Sequence, residues 1–162
     1  MEKAAKAGQP KPAGWITKML KQAMENGFKE TGLDYVDVWR ITCFEQSSQH
    51  TDQQMEEMVE ALAWAKKTGR ARFTGISSHD RSHIKMLIEK YPEQLEVICT
   101  PYTSNTKVVS DDHGLWATMQ KMDVGWFGIK PYASGSLFKG DGTPGNAQEE
   151  IGVNFNRYFK FC

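Results

Sequence analysis

The sequence predicts an α/β fold in which parallel strands alternate with helices. Four short segments, at residues 35–41, 71–76, 95–100 and 124–129, are rich in β-branched and aromatic residues and are typical of strands. Before each of them lies a longer segment that we interpret as a helix, most clearly where apolar residues recur every three or four positions. Strands separated by helical segments of roughly 10–15 residues favour right-handed βαβ units and one parallel sheet.

The first helix is predicted over residues 14–29. Its apolar side chains include Ile16, Leu20 and Met24 on one face, and Gly32 marks its end. The strand at residues 35–41 follows directly.

The second helix carries the clearest start signal. Thr51 and Gln54 fit a capping box, in which each side chain satisfies a free backbone N–H of the first turn. Gly69 ends this helix, and the strand at residues 71–76 comes next.

The third and fourth helices have weaker boundaries. Asp80 is positioned to cap the third helix and Pro92 to end it, ahead of the strand at residues 95–100. Ser110 is positioned to cap the fourth helix, which precedes the last strand.

The composition is that of a globular protein without a surface for nucleic acid. Of the 162 residues, 40% are hydrophobic and 25% charged, and 20 basic residues balance 20 acidic ones. No apolar run approaches the ~20 residues that a membrane span requires. The three cysteines, Cys43, Cys99 and Cys162, are widely spaced, which argues against a disulfide framework or a zinc site and for a reducing, cytoplasmic location.

Three regions are distinguished along the chain. Residues 1–13 are rich in Ala, Lys, Gly and Pro and predict a flexible leader rather than a secretory signal. Residues 14–137 hold the strand and helix repeats. Residues 138–162 form a glycine-rich loop followed by an aromatic, basic tail, which matches neither a clean helix nor a clean strand.

Three motifs resemble segments of the aldo-keto reductase family. Residues 33–38 (LDYVDV) resemble the entry to that family's fourth barrel strand, and residues 69–78 (GRARFTGISS) resemble its fifth strand. Residues 128–137 (GIKPYASGSL) resemble its seventh strand and the loop that follows. The resemblance implies a half or partial TIM barrel, with this chain providing strands four to seven of a (β/α)₈ barrel.

The resemblance also implies that the usual catalytic groups are missing. The family's catalytic Asp, Tyr and Lys lie on the first half of the barrel, which these strands do not include. Its catalytic His ends the fourth strand, where this chain has Thr42. Threonine has no imidazole with which to polarise a carbonyl.

The positions that face the cofactor in the family are partly kept. The resemblance assigns Ser77 to the nicotinamide amide, Ser78 to the place of the usual asparagine, Cys99 to that of a common glutamine, and Tyr102 to stacking on the nicotinamide. The candidate pyrophosphate loop contains Ala133, Gly135, Ser136 and Leu137. The segment that grips the adenosine 2′-phosphate has no counterpart, so the expected NADP(H) binding is weak.

Further groups at the strand ends are weak candidates for chemistry. Lys130 can pair with a phosphate or carboxylate, or it is simply a solvated lysine. His79 and His83 are four apart, but they lack a third ligand, so no metal site is expected. Cys43, like Cys99, either lines the mouth of the strands as a thiol or packs as a buried apolar group, which is favoured.

Half a barrel leaves two strand edges unpaired and its inner face exposed to water. The sequence therefore predicts a homodimer or higher oligomer, in which two copies rebuild eight strands. Alternatively, the aromatic tail or another chain covers the open face.

Three functions stay open. The resemblance favours an oxidoreductase-like domain that retains NADP(H) binding and takes a small carbonyl substrate. One alternative is a non-catalytic half-barrel that serves as a structural or oligomerisation module. Another is a hydrolase that uses Cys43, His79 and Lys130 at the mouth of the strands.

Overall fold

The strands form one parallel sheet whose order follows the chain. The computed structural model describes residues 11–102 and 113–131, with the strands in the order β1-β2-β3-β4 and every neighbouring pair parallel. The strands are β1 (Val36–Thr42), β2 (Ala71–Ser77), β3 (Val97–Pro101) and β4 (Gly125–Ile129), and the helices are α1 (Trp15–Thr31), α2 (Asp52–Lys67), α3 (Arg81–Lys90) and α4 (Leu115–Lys121). A 3₁₀ turn at Ser47–Gln49, which the sequence did not predict, lies between β1 and α2. The predicted parallel repeats are confirmed.

Side-chain caps begin α2 and α3 as predicted. The backbone N–H of Gln54 donates to Thr51 Oγ1 over 3.2 Å, and that of Thr51 donates back to Gln54 Oε1 over 3.0 Å. At α3 the backbone N–H of His83 donates to Asp80 Oδ1 over 3.1 Å. Among the helices of the described ranges, none combines the length and apolar character that crossing a bilayer requires.

The predicted cap of the fourth helix is wrong. The N-cap position of α4 is Gly114, which has a left-handed backbone (φ 78°) and offers no side chain. A backbone with positive φ reverses the chain direction at little cost only for glycine, so α4 begins immediately after it. Ser110 itself lies outside the described residues, as do the leader up to residue 10 and the tail at 138–162.

A carboxylate from α2 fixes the start of α1. Glu57 accepts hydrogen bonds from the backbone N–H groups of Gly14 and Ile16, both over 2.8 Å. The Gly14 N–H, followed by that of Ile16, holds the pKa of Glu57 below its ordinary value. These bonds satisfy free donors at the first turn of α1, which has no side-chain cap of its own.

The main core lies between the sheet and its helices. Ile41, Ile76 and Ile98 occupy neighbouring, paired positions on β1, β2 and β3, and all three are buried. They pack in one cluster with side chains from all four helices or the loops beside them, including Leu20, Leu62, Ile84, Ile88, Leu95 and Leu115. The isoleucines therefore define the face of the sheet that the helices cover.

The opposite face, which we call the inner face, corresponds to the interior of a barrel. Because successive side chains of a strand point to opposite faces, the neighbours of the core isoleucines lie on the inner face. Phe73 and Phe127 are exposed there, at 37% and 52% of their surfaces. Arg40 and Thr42 of β1 are exposed as well. An eight-stranded barrel fills this space with side chains of the facing strands.

Gly75 permits β2 and β3 to approach each other closely. A Cβ atom on Gly75 would lie 1.6 Å from the carbonyl oxygen of Val97, which is far inside van der Waals contact. Only glycine fits here without separating the two strands. Gly75 is therefore required for the pairing of β2 with β3 and for the register between them.

Ser78 and Asp80 tie two loops together at the carboxyl ends of the strands. Ser78 Oγ donates to the carbonyl oxygens of Glu45 and Phe44, over 2.9 and 3.2 Å, and accepts from the backbone N–H of Asp80 over 3.1 Å. Asp80 Oδ2 accepts from Ser48 Oγ over 2.5 Å. The loop after β1 is thus anchored to the first turn of α3.

We expect alanine to have opposite effects at Gly75 and Gly27. Gly75→Ala should lower the free energy of unfolding by about 3 kcal/mol or more, which is severe for one substitution, because β2 and β3 must separate. Gly27 lies within α1, where an added Cβ atom would meet nothing within 4 Å, so Gly27→Ala should raise the free energy of unfolding by about 1 kcal/mol. Urea unfolding of both variants measures the difference, and equal effects would contradict the close approach.

A second prediction concerns the acid stability that Asp80 confers. Burial acts to raise the pKa of Asp80, but the hydrogen bonds from the Ser48 hydroxyl and the His83 N–H outweigh it and hold that pKa below its ordinary value. A lowered folded-state pKa gives stabilisation that is complete above the unfolded-state pKa and is lost as the pH falls through the folded-state pKa. Asp80→Asn should therefore cost about 1–2 kcal/mol at pH 7 and progressively less as the pH falls below the ordinary aspartate pKa of 3.8.

Thermal unfolding at several pH values measures this difference, with Asp34→Asn as the matched control. Asp34 is exposed, and no hydrogen bond ties its side chain to the described residues. A stability gap between wild type and Asp80→Asn that stays constant from pH 7 to pH 3 would contradict the role of the charge.

Candidate functional site

One row of side chains crosses the sheet at its carboxyl edge. Thr42 pairs with Ser77, Ser77 with Cys99, and Cys99 with Phe127, so four residues lie side by side on the inner face. We call them the mouth row. It contains three of the positions that the sequence analysis selected: Thr42, Ser77 and Cys99. The parallel register brings these three together although they are up to 57 residues apart in the chain.

Ser77 and Ser78 are adjacent in sequence but differ in what their hydroxyls do. The only proton of the Ser78 hydroxyl is shared between two backbone carbonyls, and Ser78 is 2% exposed. Ser77 lies in the mouth row, and no hydrogen bond joins its hydroxyl to any described residue. Ser77 therefore has a free donor for a ligand, whereas Ser78 maintains the loop structure.

Thr42 has a cationic neighbour on the same strand. Arg40 Nη1 donates to Thr42 Oγ1 over 3.1 Å, and both side chains are exposed on the inner face. Because the threonine oxygen accepts this bond, its own proton stays available to donate to an acceptor in the space above the mouth row. Arg40 lies on the face opposite to the buried Cys43.

A second group of side chains lies just beyond the mouth row, where three strand ends converge. Glu45 follows β1, His79 follows β2, and Lys130 follows β4; we call them the Glu45–His79–Lys130 cluster. Lys130 Nζ is 3.3 Å from His79 Nε2 and 3.8 Å from Glu45 Oε1, and His79 Nδ1 is 3.9 Å from the same Glu45 oxygen. Burial and the Lys130 charge lower the pKa of His79, against the opposing effect of Glu45, so the imidazole is neutral at pH 7.

Cys43 is buried on the helix side of the sheet, so the prediction that it lines the mouth is wrong. It belongs to the main core with Ile41 and Ile76 and is 7% exposed. Burial raises the pKa of the Cys43 thiol to about 11, which keeps it protonated and unreactive at neutral pH. The favoured interpretation of Cys43 and Cys99 as buried free thiols is confirmed.

Tyr102 packs on the helix-facing side of β4 rather than beside the mouth row. Its ring meets those of Trp126 and Trp116 edge-on, with centroids 4.5 and 5.9 Å apart. Trp126 pairs with Ile98 and shares its face, opposite to the face of Ser77. The stacking role predicted for Tyr102 therefore has no support from its position.

The candidate phosphate loop, with Ala133, Gly135, Ser136 and Leu137, lies outside the described residues. In the described ranges, no three His, Cys, Asp or Glu side chains come together in a way that could hold a metal ion. His79 and His83 have different neighbours, since His83 Nδ1 lies 2.8 Å from Ser47 Oγ while His79 faces Lys130.

Sequence reasoning missed Glu45. The signal was available, since Glu45 lies close after the end of β1 just as Lys130 lies close after β4. Parallel strands bring such positions to one edge of the sheet, where charged residues can meet. Glu45 was overlooked because it belongs to none of the three motifs.

A family profile and a curated relative both match this chain. The profile of the Aldo/keto reductase family matches residues 3–158, a segment that includes most of the leader and the tail. The L-glyceraldehyde 3-phosphate reductase of Escherichia coli K12 is 30% identical over 131 residues, which are 79% of this chain and 36% of the relative. This chain thus spans about a third of the length of the curated relatives that it matches.

Solved structures share the fold. The holo form of the aldo-keto reductase AKR11C1 from Bacillus halodurans superposes with a TM-score of 0.61 at 22% identity, over 76% of this chain and 39% of that protein. The Bombyx mori aldo-keto reductase AKR2E4, in complex with NADP, gives a TM-score of 0.52 at 19% identity, over 75% of this chain and 39% of that protein. At these identities the likeness concerns the fold alone.

The fold and the family profile lead to the same conclusion. The described residues form a parallel βα sheet in unbroken strand order, as part of a (β/α)₈ barrel does. The family profile covers nearly the whole sequence. The chain therefore belongs to the aldo/keto reductase family.

Proposed function

We propose that this chain forms an NADP(H)-binding oxidoreductase site that acts on small carbonyl compounds at the carboxyl ends of its strands. The observation that carries the proposal is the mouth row, in which the uncommitted hydroxyl of Ser77, a residue that is 7% exposed, lies beside the exposed Thr42 on the inner face. Among the relatives, AKR2E4 is found with NADP and the Escherichia coli relative is a reductase of a phosphorylated aldehyde.

The residues present fit a nicotinamide cofactor in part. Ser77 offers a hydroxyl for the carboxamide of the nicotinamide, at the position where the family resemblance expects one. When bound, the cofactor supplies the hydride. The residues of this chain would hold and orient it: the Ser77 hydroxyl would donate a hydrogen bond to its amide, and the close contact at Gly75 keeps β2 and β3 in register.

Thr42 and Arg40 would bind the carbonyl oxygen of the substrate. With Arg40 Nη1 donating to its oxygen, the Thr42 hydroxyl can donate a hydrogen bond to that carbonyl. A charge-assisted chain of this kind polarises a carbonyl more than an isolated hydroxyl does. Threonine does not titrate near neutral pH, so the pair would stabilise negative charge on the oxygen, and the proton that completes the alcohol would come from solvent water.

The hydrolase alternative loses its nucleophile. It required a reactive Cys43 at the mouth of the strands, but this thiol is buried on the helix side with a pKa raised to about 11. His79 and Lys130 remain at the mouth, and among the described residues no nucleophile contacts either of them.

A second candidate role, self-association, rests on the open inner face. Phe73 and Phe127 are exposed on it, and β1 and β4 each pair on one side only within the described sheet. Two copies related by a two-fold axis could pair β4 of each with β1 of the other, which would give eight parallel strands and no free edge.

The cofactor proposal is tested by titrating NADPH fluorescence with the protein and with two adjacent serine variants. Ser77→Ala should weaken NADPH binding by about three- to tenfold, the value of one neutral hydrogen bond, and leave stability unchanged. Ser78→Ala should instead lower the free energy of unfolding by about 1–3 kcal/mol, because it leaves buried backbone groups unpaired.

These two serines serve as controls for each other. If neither wild type nor variant alters NADPH fluorescence at high protein concentration, the proposal fails. Equal losses of affinity in both variants would show that Ser77 has no particular role.

Self-association predicts a dimer in sedimentation velocity at micromolar concentration. Phe127→Asp should raise the dissociation constant by at least about tenfold, because it places a charge on the apolar inner face. Met86→Asp is the matched control, since Met86 is 47% exposed on α3, on the outer side of the sheet. A wild-type monomer at all concentrations would contradict this role.

A further inference from the structure

The Glu45–His79–Lys130 cluster is held together by contacts that are too long to satisfy its charges. The carboxylate oxygen of Glu45 is 3.8 Å from Lys130 Nζ and 3.9 Å from His79 Nδ1, beyond hydrogen-bond length for both. A charge-assisted bond between an ammonium and an anion is normally about 2.7–2.9 Å long. The cation and the imidazole thus have unused capacity for an anion that can approach more closely.

The protonation state of His79 places a hydrogen-bond donor where an anion could bind. The Lys130 ammonium has no lone pair, so in the 3.3 Å contact it is the donor and Nε2 of His79 is the acceptor. The neutral imidazole then carries its proton on Nδ1, which faces the Glu45 carboxylate. Lys130 Nζ and His79 Nδ1 therefore present two donors toward the same place.

Glu45 is fixed by its backbone but not by its side chain. Its carbonyl oxygen accepts from the His79 N–H over 2.8 Å and from Ser78 Oγ over 2.9 Å. Its side chain, in contrast, is 76% exposed and makes no contact shorter than 3.8 Å with Lys130 or His79. The carboxylate can leave the cluster without any change in the backbone around it.

Lys130 has a backbone conformation that lysine rarely adopts. Its φ is 56°, in the left-handed region, where a residue with a side chain carries a cost that glycine would avoid. The residue here is lysine and not glycine. Its left-handed conformation turns the chain immediately after β4.

We propose that Lys130 and His79 bind the phosphate or carboxylate group of the carbonyl substrate, and that Glu45 occupies this site until the substrate displaces it. The inference rests on the proposed function, since it takes the ligand to be a carbonyl substrate. His79 lies two residues beyond Ser77, past the end of β2 and at the same edge of the sheet as the mouth row. A small aldehyde with an anionic end would bind there with its carbonyl toward Thr42.

Isothermal titration with inorganic phosphate at fixed ionic strength tests the site without any need for cofactor or turnover. Lys130→Met should weaken phosphate binding by at least about tenfold, and Glu45→Gln should strengthen it by about three- to tenfold because the competing charge is removed. Lys85→Met and Glu89→Gln are matched controls, since these two residues form an ion pair on the exposed surface of α3, and both should leave the affinity unchanged.

A further variant separates the charge of Lys130 from its backbone. Lys130→Gly should bind phosphate as poorly as Lys130→Met but melt at a higher temperature, because the left-handed conformation suits glycine. In wild type, phosphate should also raise the pKa of His79, one of four histidines, in a nuclear magnetic resonance titration.

Repeating the titration with saturating NADPH distinguishes the two sources of an anion. If NADPH leaves the affinity for phosphate unchanged, the anion site is separate from the cofactor, which supports a substrate site. If NADPH abolishes phosphate binding, the site binds a phosphate of the cofactor, and this would overturn the proposal. Equal phosphate affinity in wild type, Lys130→Met and Glu45→Gln would overturn it as well. A protein that binds phosphate in the predicted order but not NADPH would contradict the cofactor proposal alone.

Discussion

The pairing of Ile41, Ile76 and Ile98 determines where the candidate groups on the strands lie. These side chains occupy neighbouring positions on three parallel strands and are buried against the helices. Because side chains alternate between the faces of a strand, a buried isoleucine on one face commits the next residue to the other. Thr42, Ser77 and Cys99 each follow one of these isoleucines directly, so a slip of one residue would turn all three into the helical core.

The same alternation separates reactive from inert groups. Cys43 lies one residue beyond Thr42 and returns to the helix side, where burial raises its pKa and removes it from chemistry. Lys130 and His79 lie past the ends of their strands, outside the strict alternation, and loop geometry decides where they point. The hydrogen bonds of Ser78 and Asp80 fix the loops that carry Glu45 and His79, so these two buried polar residues position that part of the cluster without belonging to it.

Sequence reasoning succeeded where a local rule governs the structure and failed where long-range packing does. Thr51 and Asp80 cap their helices as predicted, because capping depends on residues three positions apart. The parallel sheet also followed from local periodicity. The contacts of Tyr102 with Trp116 and Trp126 could not be predicted, since they depend on how α4 packs on β4. Glu45 was missed for a related reason: no motif marks it, and only the arrangement of the strand ends brings it to Lys130.

The loops at the mouth combine a fixed backbone with free side chains, and this combination is what a binding site requires. Hydrogen bonds from Ser78 and His79 hold the carbonyl of Glu45 in place, while its carboxylate stays in water. Ordering a long side chain costs about 1–2 kcal/mol, so a loosely held carboxylate loses little when it moves away. A tight ion pair at the same place would instead have to be broken before a ligand could enter. The long distances around Glu45 are therefore better suited to exchange with a ligand than to stabilising the fold.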